Sequence, residues 1–274
     1  NAVYREGGRS RSDVLTVARF LHHFLENKRG WAVRTIQKLI EGESGLLDEQ
    51  GEDVFSRRFE FLRVSRRSPD RIYRDILRSV FNAPTGGALH LCDLRGGEGE
   101  LGLKVGEEED YFGLIYIGDT SSFKKIVEAD DSGIVLEEDV VSESLFGGIN
   151  RPETSINILI GAKKFMEGWN SWRVSNMGLL NVGRTEGSEI IQLFGRGVRL
   201  RGLSFSLKRS SALDGEHPTH IRLLEMLNIF AVRANYMAQF REYLEREGVE
   251  TVGHVELPLA IHPNNAFLDQ GLLI

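Results

Sequence analysis

The chain has 274 residues with a formal net charge of −6 and a single cysteine, and 41% of its residues are hydrophobic. This composition indicates a globular protein with one large domain or two small ones, and no apolar run approaches the roughly 18 residues that a membrane helix needs. The lone Cys92 excludes an internal disulfide and a cysteine-rich zinc site, so we expect a cytoplasmic protein. Because no initiator Met precedes Asn1, we expect residues 1–2 to be left from the cloning of an internal fragment.

Charge is unevenly distributed along the chain. Residues 96–144 hold 14 acidic and 3 basic side chains, whereas residues 151–210 hold 10 basic and 4 acidic ones. A basic segment beside an acidic one is compatible with a surface that contacts phosphates. Ordinary variation of surface charge explains the same pattern equally well.

The first third of the chain, residues 3–84, is predicted to be a mostly helical accessory region. Apolar residues recur at helical spacing over residues 13–27 and again over residues 69–81, and the residues between 42 and 53 are polar and loop-like. No motif in this region indicates a chemical function. The turn-forming residues 82–87 then mark a change in character.

After this turn, short β-rich runs alternate with polar turns and helical patterns, which is the unit of a parallel α/β sheet. The predicted strands are residues 88–94, 101–105, 112–117, 156–160 and 177–182. The first two flank a Gly-rich segment and are predicted to form a hairpin. Helical patterns follow at residues 188–200 and, as a long amphipathic helix, at residues 218–247.

Residues 161–173 stand apart from ordinary α/β sequence. They follow the predicted strand 156–160 directly and contain two Gly, two Trp and three basic residues, Lys163, Lys164 and Arg173. Open α/β sheets bind ligands at the carboxyl ends of their strands, so a ligand is expected here. The alternative is that the two tryptophans only anchor a loop to the core.

A second unusual segment contains Gln192, Gly195, Arg196, Gly197 and Arg199. In a helix, Arg196 and Arg199 would lie three residues apart on one face. Each glycine costs roughly 1 kcal/mol inside a helix, so we expect something to approach the backbone closely there. Two guanidiniums on one face suit the γ-phosphate of a nucleotide, and a solvated arginine pair is the alternative.

These two segments resemble motifs of known helicases. Gln192, Gly195, Arg196 and Arg199 resemble motif VI of superfamily 2 helicases, and residues 168–170 stand where motif V usually reads glycine, apolar residue, aspartate. Asn170 replaces that acid, so a charge-based role at this position does not carry over. The longer string of residues 164–183 is similar to the helicase subunit of type III restriction enzymes, and residues 112–119 would by position be motif IV.

The resemblance implies a RecA-like parallel sheet flanked by helices over residues 85–210, followed by a C-terminal helix and tail over residues 211–274. It implies that arginines of this domain act on ATP, that further residues bind the nucleotide, and that basic and polar residues contact nucleic acid. The implied catalytic residues are Arg196 and Arg199. The implied ATP-binding residues are Gln192, Gly168 and Asn170. The implied nucleic-acid-binding residues are Lys163, Lys164, Ser171 and Arg173.

The sequence lacks the phosphate loop and the Mg²⁺-binding acidic motif that ATP hydrolysis in this class needs. ATP and Mg²⁺ would therefore be bound mainly by a first RecA-like domain upstream in the same polypeptide, and this chain alone is expected to be inactive. Other implied partners are double-stranded DNA and a methyltransferase subunit of a restriction-modification system, with no membrane. The seven histidines show no spacing typical of a metal site.

Two other interpretations stay open. One is a non-catalytic DNA-binding or protein-docking module that keeps the helicase fold without motor activity. The other is a small-molecule α/β enzyme with an arginine-lined anion pocket, which a deep closed pocket would favour.

Overall fold

The computed structural model describes residues 3–6, 9–48, 50–56, 58–161, 171–180, 195 and 201–232. Its centre is a mixed five-stranded sheet, and helices of the first third pack on one face of that sheet, which confirms the α/β class. No helix in these described ranges is long and apolar enough to cross a membrane.

The first third is mostly helical, as predicted. A short hairpin of β1 (Tyr4–Glu6) and β2 (Arg9–Arg11) comes first. The helices that follow are α1 (Asp13–Glu26), α2 (Trp31–Glu41), α3 (Glu60–Val64) and α4 (Pro69–Val80). The two predicted helices are confirmed as α1 and α4, and α2 and α3 are additional to them.

Serine caps explain where α1 and α4 begin. Ser12 accepts a hydrogen bond from the backbone N–H of Leu15 at 3.0 Å, and Ser68 accepts one from that of Arg71 at 3.3 Å. Each cap satisfies a backbone donor that the first helical turn leaves unpaired. Proline at the first position of α4 adds a backbone angle already set for a helix.

The sheet forms in the middle of the chain. Its strands are β3 (Leu89–Gly96), β4 (Glu100–Val105), β5 (Gly113–Tyr116), β6 (Val135–Glu143) and β7 (Ile158–Gly161). They lie in the order β6-β3-β4-β5-β7, and helix α5 (Thr120–Glu128) links β5 to β6. Strand β4 runs opposite to the other four strands of this sheet. The predicted hairpin is confirmed as β3 and β4.

One hydrophobic core joins the helices to the sheet. Leu91 and Leu103 of the sheet are fully buried in the same cluster as Leu25 of α1 and Leu77 of α4. Burial of this kind stabilises by about 1.5–3 kcal/mol for each large side chain. The opposite face of the sheet has a smaller core of Cys92, Leu94, Leu114 and Ile156. The helical first third therefore has no separate core of its own within the described residues.

The predicted turn at residues 82–87 brings the helices close to the sheet. A Cβ built on Gly86 would lie 2.1 Å from the carbonyl oxygen of Leu25, so no larger residue fits between α1 and β3 without a shift. The Asn82 side chain donates to the carbonyl oxygens of Tyr111 at 3.2 Å and Ser155 at 2.9 Å. This turn therefore fixes the end of α4 against the amino-terminal ends of β5 and β7.

A separate two-stranded sheet pairs β8 (Asn176–Leu180) with β9 (Asn228–Val232) in parallel. The prediction of one continuous helix over residues 218–247 is wrong in its described part, because only α6 (Ile221–Leu224) is helical before β9 begins. β9 contains the β-branched Ile229 and Val232 and the aromatic Phe230, and β8 offers it a partner strand. Residues 233–247 lie outside the described ranges.

His22 on α1 makes the contact between helix and sheet dependent on pH. The imidazole is 4% exposed, and its Nδ1 accepts a hydrogen bond from the backbone N–H of Leu89 at 3.1 Å. Burial lowers the pKa of His22 below its usual 6.5, and although Glu26 opposes this shift, Lys28 and His23 add to it. A proton on Nδ1 would also break the hydrogen bond to β3.

We expect acidification to destabilise the fold through His22. Because the folded-state pKa is lowered, the unfolded chain binds the proton first, so stability is full above pH 6.5 and is lost as the pH falls below it. The loss should be about 1–2 kcal/mol between roughly pH 7 and pH 5, measured by urea unfolding. His22→Asn keeps an acceptor without a titratable ring, so the same loss in that variant would contradict the assignment.

Candidate functional site

Most of the predicted site lies outside the residues that the structure describes. These predicted residues are Lys163, Lys164, Gly168, Asn170, Gln192, Arg196 and Arg199. Ser171 and Arg173 are described, and so is Gly195, which precedes Arg196 in the second predicted segment. The strands that precede the two segments are also described, ending at Gly161 and Leu180, so the points from which residues 162–170 and 181–200 continue are known.

Strands β5 and β7 end at the same edge of the sheet, here called the carboxyl edge. β5 and β7 are parallel neighbours, and Tyr116 at the end of β5 is in register with Gly161 at the end of β7. Residues 162–170 therefore begin beside the turn that follows β5. This is the edge at which open α/β sheets bind ligands, and it is where the sequence predicts a site.

The turn after β5 presents a carboxylate at this edge. Asp119 is exposed, and its Oδ1 accepts a hydrogen bond from the backbone N–H of Ser122 at 3.1 Å, which caps α5. Hydrogen bonds from Ser122 lower the pKa of Asp119. Since Asp119 already occupies the amino end of α5, this turn offers negative charge and no anion-binding helix end.

Ser171 and Arg173 lie away from the carboxyl edge. The Arg173 guanidinium is 3.4 Å from the carbonyl oxygen of Ile149 and 3.5 Å from Oδ1 of Asn157, the residue just before β7. It therefore reaches the amino-terminal end of β7. Ser171 is 4% exposed, and its hydroxyl accepts a hydrogen bond from the backbone N–H of Arg173 at 3.2 Å. This burial does not favour a nucleic-acid contact by Ser171, whereas the long contacts of Arg173 leave its side chain able to bind elsewhere.

Gly195 is the one residue of the second predicted motif that the structure describes. The residue is helical and exposed, and no described atom lies within 4 Å of the place where a Cβ would be. The part of the protein that is described therefore gives no packing reason for a glycine at this position.

The structure also brings together a polar cluster that sequence reasoning missed. Ligand atoms of His90, Glu107 and Glu137 all lie within 4.8 Å of one another on β3, after β4 and on β6. His90 Nδ1 is 2.5 Å from Oε1 of Glu137, and Lys104 Nζ is 3.0 Å from Oε2 of the same carboxylate. Burial opposes ionisation of Glu137, but the contacts from Lys104 and His90 lower its pKa overall.

The contact of Lys104 with Glu137 favours an ion-pair network over a metal site for this cluster. The Lys104 ammonium and the His90 ring both contact the Glu137 carboxylate, so this carboxylate already has partners within the protein. His90 and the two glutamates are far apart in the sequence, and no spacing pattern could have indicated them. Cys92 lies in the same network, and burial raises the pKa of its thiol to about 11, so it does not act as a nucleophile at neutral pH.

A cavity of about 650 Å³ lies between α3 and residues 210–223. Its lining includes Arg58, Phe61, His217, His220 and Arg222. Ser171 and Arg173, the two predicted site residues that are described besides Gly195, do not line it.

Comparison of the chain with models of known protein families, with curated proteins and with solved structures found no match.

Proposed function

We propose that this chain is the C-terminal motor domain of an ATP-dependent DNA helicase or translocase, similar to the helicase subunit of type III restriction enzymes. The observation that carries the proposal is the position of the two motif-bearing segments. Residues 162–170 follow the carboxyl end of β7, and residues 181–200 follow the carboxyl end of β8. Both segments thus begin where parallel strands present ligand-binding loops.

The rest of the fold is compatible with a RecA-like domain. Four of the five sheet strands point the same way, and β5, its capped turn and α5 form a strand–turn–helix unit at the position of motif IV. β8 pairs with β9 and not with the five-stranded sheet among the described residues. The RecA-like arrangement is therefore part of the proposal, and it rests on the parallel pairs and the motifs together.

In this proposal, the chain supplies positive charge to ATP that an upstream RecA-like domain binds with Mg²⁺. Arg196 and Arg199 would contact the γ-phosphate across the cleft between the domains, with Gln192, Gly168 and Asn170 beside the nucleotide. Lys163, Lys164 and Arg173 would hold the phosphate backbone of double-stranded DNA. Closure of the two domains would shift this grip, which couples hydrolysis to movement along DNA. A methyltransferase subunit and a cytoplasmic setting belong to the same proposal.

Replacing Arg199 tests this function. In the polypeptide that includes the upstream domain, Arg199→Ala should lower DNA-stimulated ATP hydrolysis by about 10³-fold or more, because an arginine that stabilises phosphoryl transfer contributes about that much. Phosphate release with and without DNA measures it, and thermal unfolding confirms that the fold is intact.

Arg201→Ala is the matched control, since Arg201 lies over the ring of Phe205 at 4.9 Å and is assigned no role in ATP hydrolysis. It should keep near-normal activity. Full ATPase activity in Arg199→Ala, or an equal loss in both variants, would remove the basis for the arginine assignment. The chain alone should not hydrolyse ATP.

A further inference from the structure

Helix α4 carries a line of arginines on its solvent side. Arg71, Arg74 and Arg78 are spaced by three and four residues, so they lie on one side of the helix, and all three are exposed. Ile72, Tyr73 and Leu77 face the core from the other side. We call the three arginines the α4 arginine stripe.

Carboxylates do not neutralise the α4 arginine stripe within the described part of the chain. Asp75, on the same helix, forms its ion pair with Arg67 at 3.3 Å. Asp110 lines a shallow depression together with Arg78 but makes no ion pair with it. Like charges at this spacing destabilise a helix by about 0.2–0.5 kcal/mol for each pair, and Asp70 and Asp75 on the same helix offset part of this cost.

The surrounding sequence extends this charge. Residues 57–78 contain eight arginines, no lysine and three acidic residues, in a chain whose overall net charge is −6. Arg63, Arg66 and Arg67, just before α4, are also exposed. Guanidinium groups bind phosphate oxygens through two parallel hydrogen bonds, which lysine does not do.

We propose that the α4 arginine stripe binds the phosphodiester backbone of nucleic acid, outside the predicted motor site. From Arg71 to Arg78 the helix rises about 10.5 Å, so the three guanidinium groups extend past a single phosphate and can contact neighbouring phosphates of one strand. The surface lies on the helical first third, which would therefore contribute to holding DNA. The choice of DNA as the ligand rests on the proposed function, but the geometry and charge of the stripe do not.

Binding of the chain to DNA, without ATP, tests the stripe. The probe is a fluorescein-labelled duplex of about 20 base pairs, followed by anisotropy over a range of NaCl concentrations. Replacing all three stripe arginines by glutamine should weaken binding by about tenfold or more at low salt. It should also reduce the slope of log K against log [NaCl] by about 2–3, because each lost phosphate contact removes about 0.9.

The matched control replaces Arg29, Arg95 and Arg151 by glutamine, three exposed arginines on other parts of the fold. Both triple variants lose the same charge, so a loss confined to the stripe variant separates a local site from net charge. A third variant with lysine at the stripe positions should keep most of the salt slope. Thermal unfolding checks that each variant is folded.

Several results would overturn the inference. These are failure of the unaltered chain to bind the duplex at low salt, an unchanged slope in the stripe variant, and an equal loss in the control variant. Displacement of the duplex by poly-glutamate at matched charge would also do so, since it would point to an acidic protein as ligand. The Arg199 experiment measures ATP hydrolysis, whereas this experiment measures DNA binding without ATP. Failure of the proposed function can therefore be distinguished from failure of the proposed stripe.

Discussion

Phe112→Ala is expected to lower the free energy of unfolding by about 3–5 kcal/mol, one of the largest effects of any single substitution in this fold. Phe112 precedes β5 and is 0% exposed. Its ring meets that of Phe81 edge-on at 4.9 Å, and Phe81 stacks on Phe24 of α1 at 5.5 Å. Truncation would thus open a cavity where the helices of the first third meet the sheet.

The backbone of Phe112 also links neighbouring strands, through hydrogen bonds that alanine would retain. Its N–H donates to the carbonyl oxygen of Leu103 at 2.9 Å, and its own carbonyl oxygen accepts from the N–H groups of Asn157 and Ile158. Phe112 therefore joins three neighbouring strands at the point where the helices pack. Because helices and sheet share one core, we expect them to unfold in a single transition in the variant as in the original chain.

Urea unfolding followed by far-ultraviolet circular dichroism and by tryptophan fluorescence measures both expectations. Phe20→Ala is the matched control, since Phe20 is 56% exposed and its ring lies edge-on to that of Trp31, with 6.1 Å between the centroids. It should cost less than about 1 kcal/mol. Separate transitions for the two probes would show that the first third folds independently, which the shared core argues against.

Local signals predicted much of the fold. Apolar spacing indicated α1 and α4, and two β-rich runs around a Gly-rich turn indicated the β3–β4 hairpin. These features depend on residues close together in the sequence. The strand predicted at residues 156–160 begins later, as β7 at Ile158, and the side chain of Asn157 before it bonds to the end of α4.

The features that were predicted wrongly or missed depend on contacts between residues that are distant in the sequence. Apolar spacing in Asn228–Val232 fits a helix and a strand equally, and only pairing with β8 decides for the strand. The cluster around Glu137 likewise needs β3, β4 and β6 to be side by side. The arginine run of residues 57–78 was readable in the sequence, but α4 had to be oriented by its buried side before the three stripe residues could be distinguished.

Glu100→Ala is expected to cost about 2–4 kcal/mol, although no cation pairs with this carboxylate in the described structure. Glu100 begins β4 and is 3% exposed. Its Oε1 accepts from the Ser144 hydroxyl at 2.5 Å, and its Oε2 accepts from the N–H groups of Leu145 at 2.8 Å and Phe146 at 3.1 Å. Alanine would leave three donors without an acceptor.

This carboxylate organises the connection that leads from β6 towards β7. The residues it holds continue to Ile149, whose carbonyl oxygen lies 3.4 Å from the Arg173 guanidinium. Loss of Glu100 should therefore loosen Arg173 as well as lower stability. Glu100→Gln retains an acceptor oxygen and gains a donor for Ser144, so it should cost only about 1 kcal/mol.

Gly97 supplies an independent check on this role. A Cβ at Gly97 would lie 2.7 Å from Cδ of Glu100, so Gly97→Ala must displace the carboxylate from its donors. In a double-mutant cycle measured by urea unfolding, Gly97→Ala should be costly in the original chain and nearly neutral when Glu100 is already alanine. Additive costs would mean that Gly97 is required for the backbone of the hairpin turn itself. Glu100 would then be one polar contact among several, and the position of Arg173 would not depend on it.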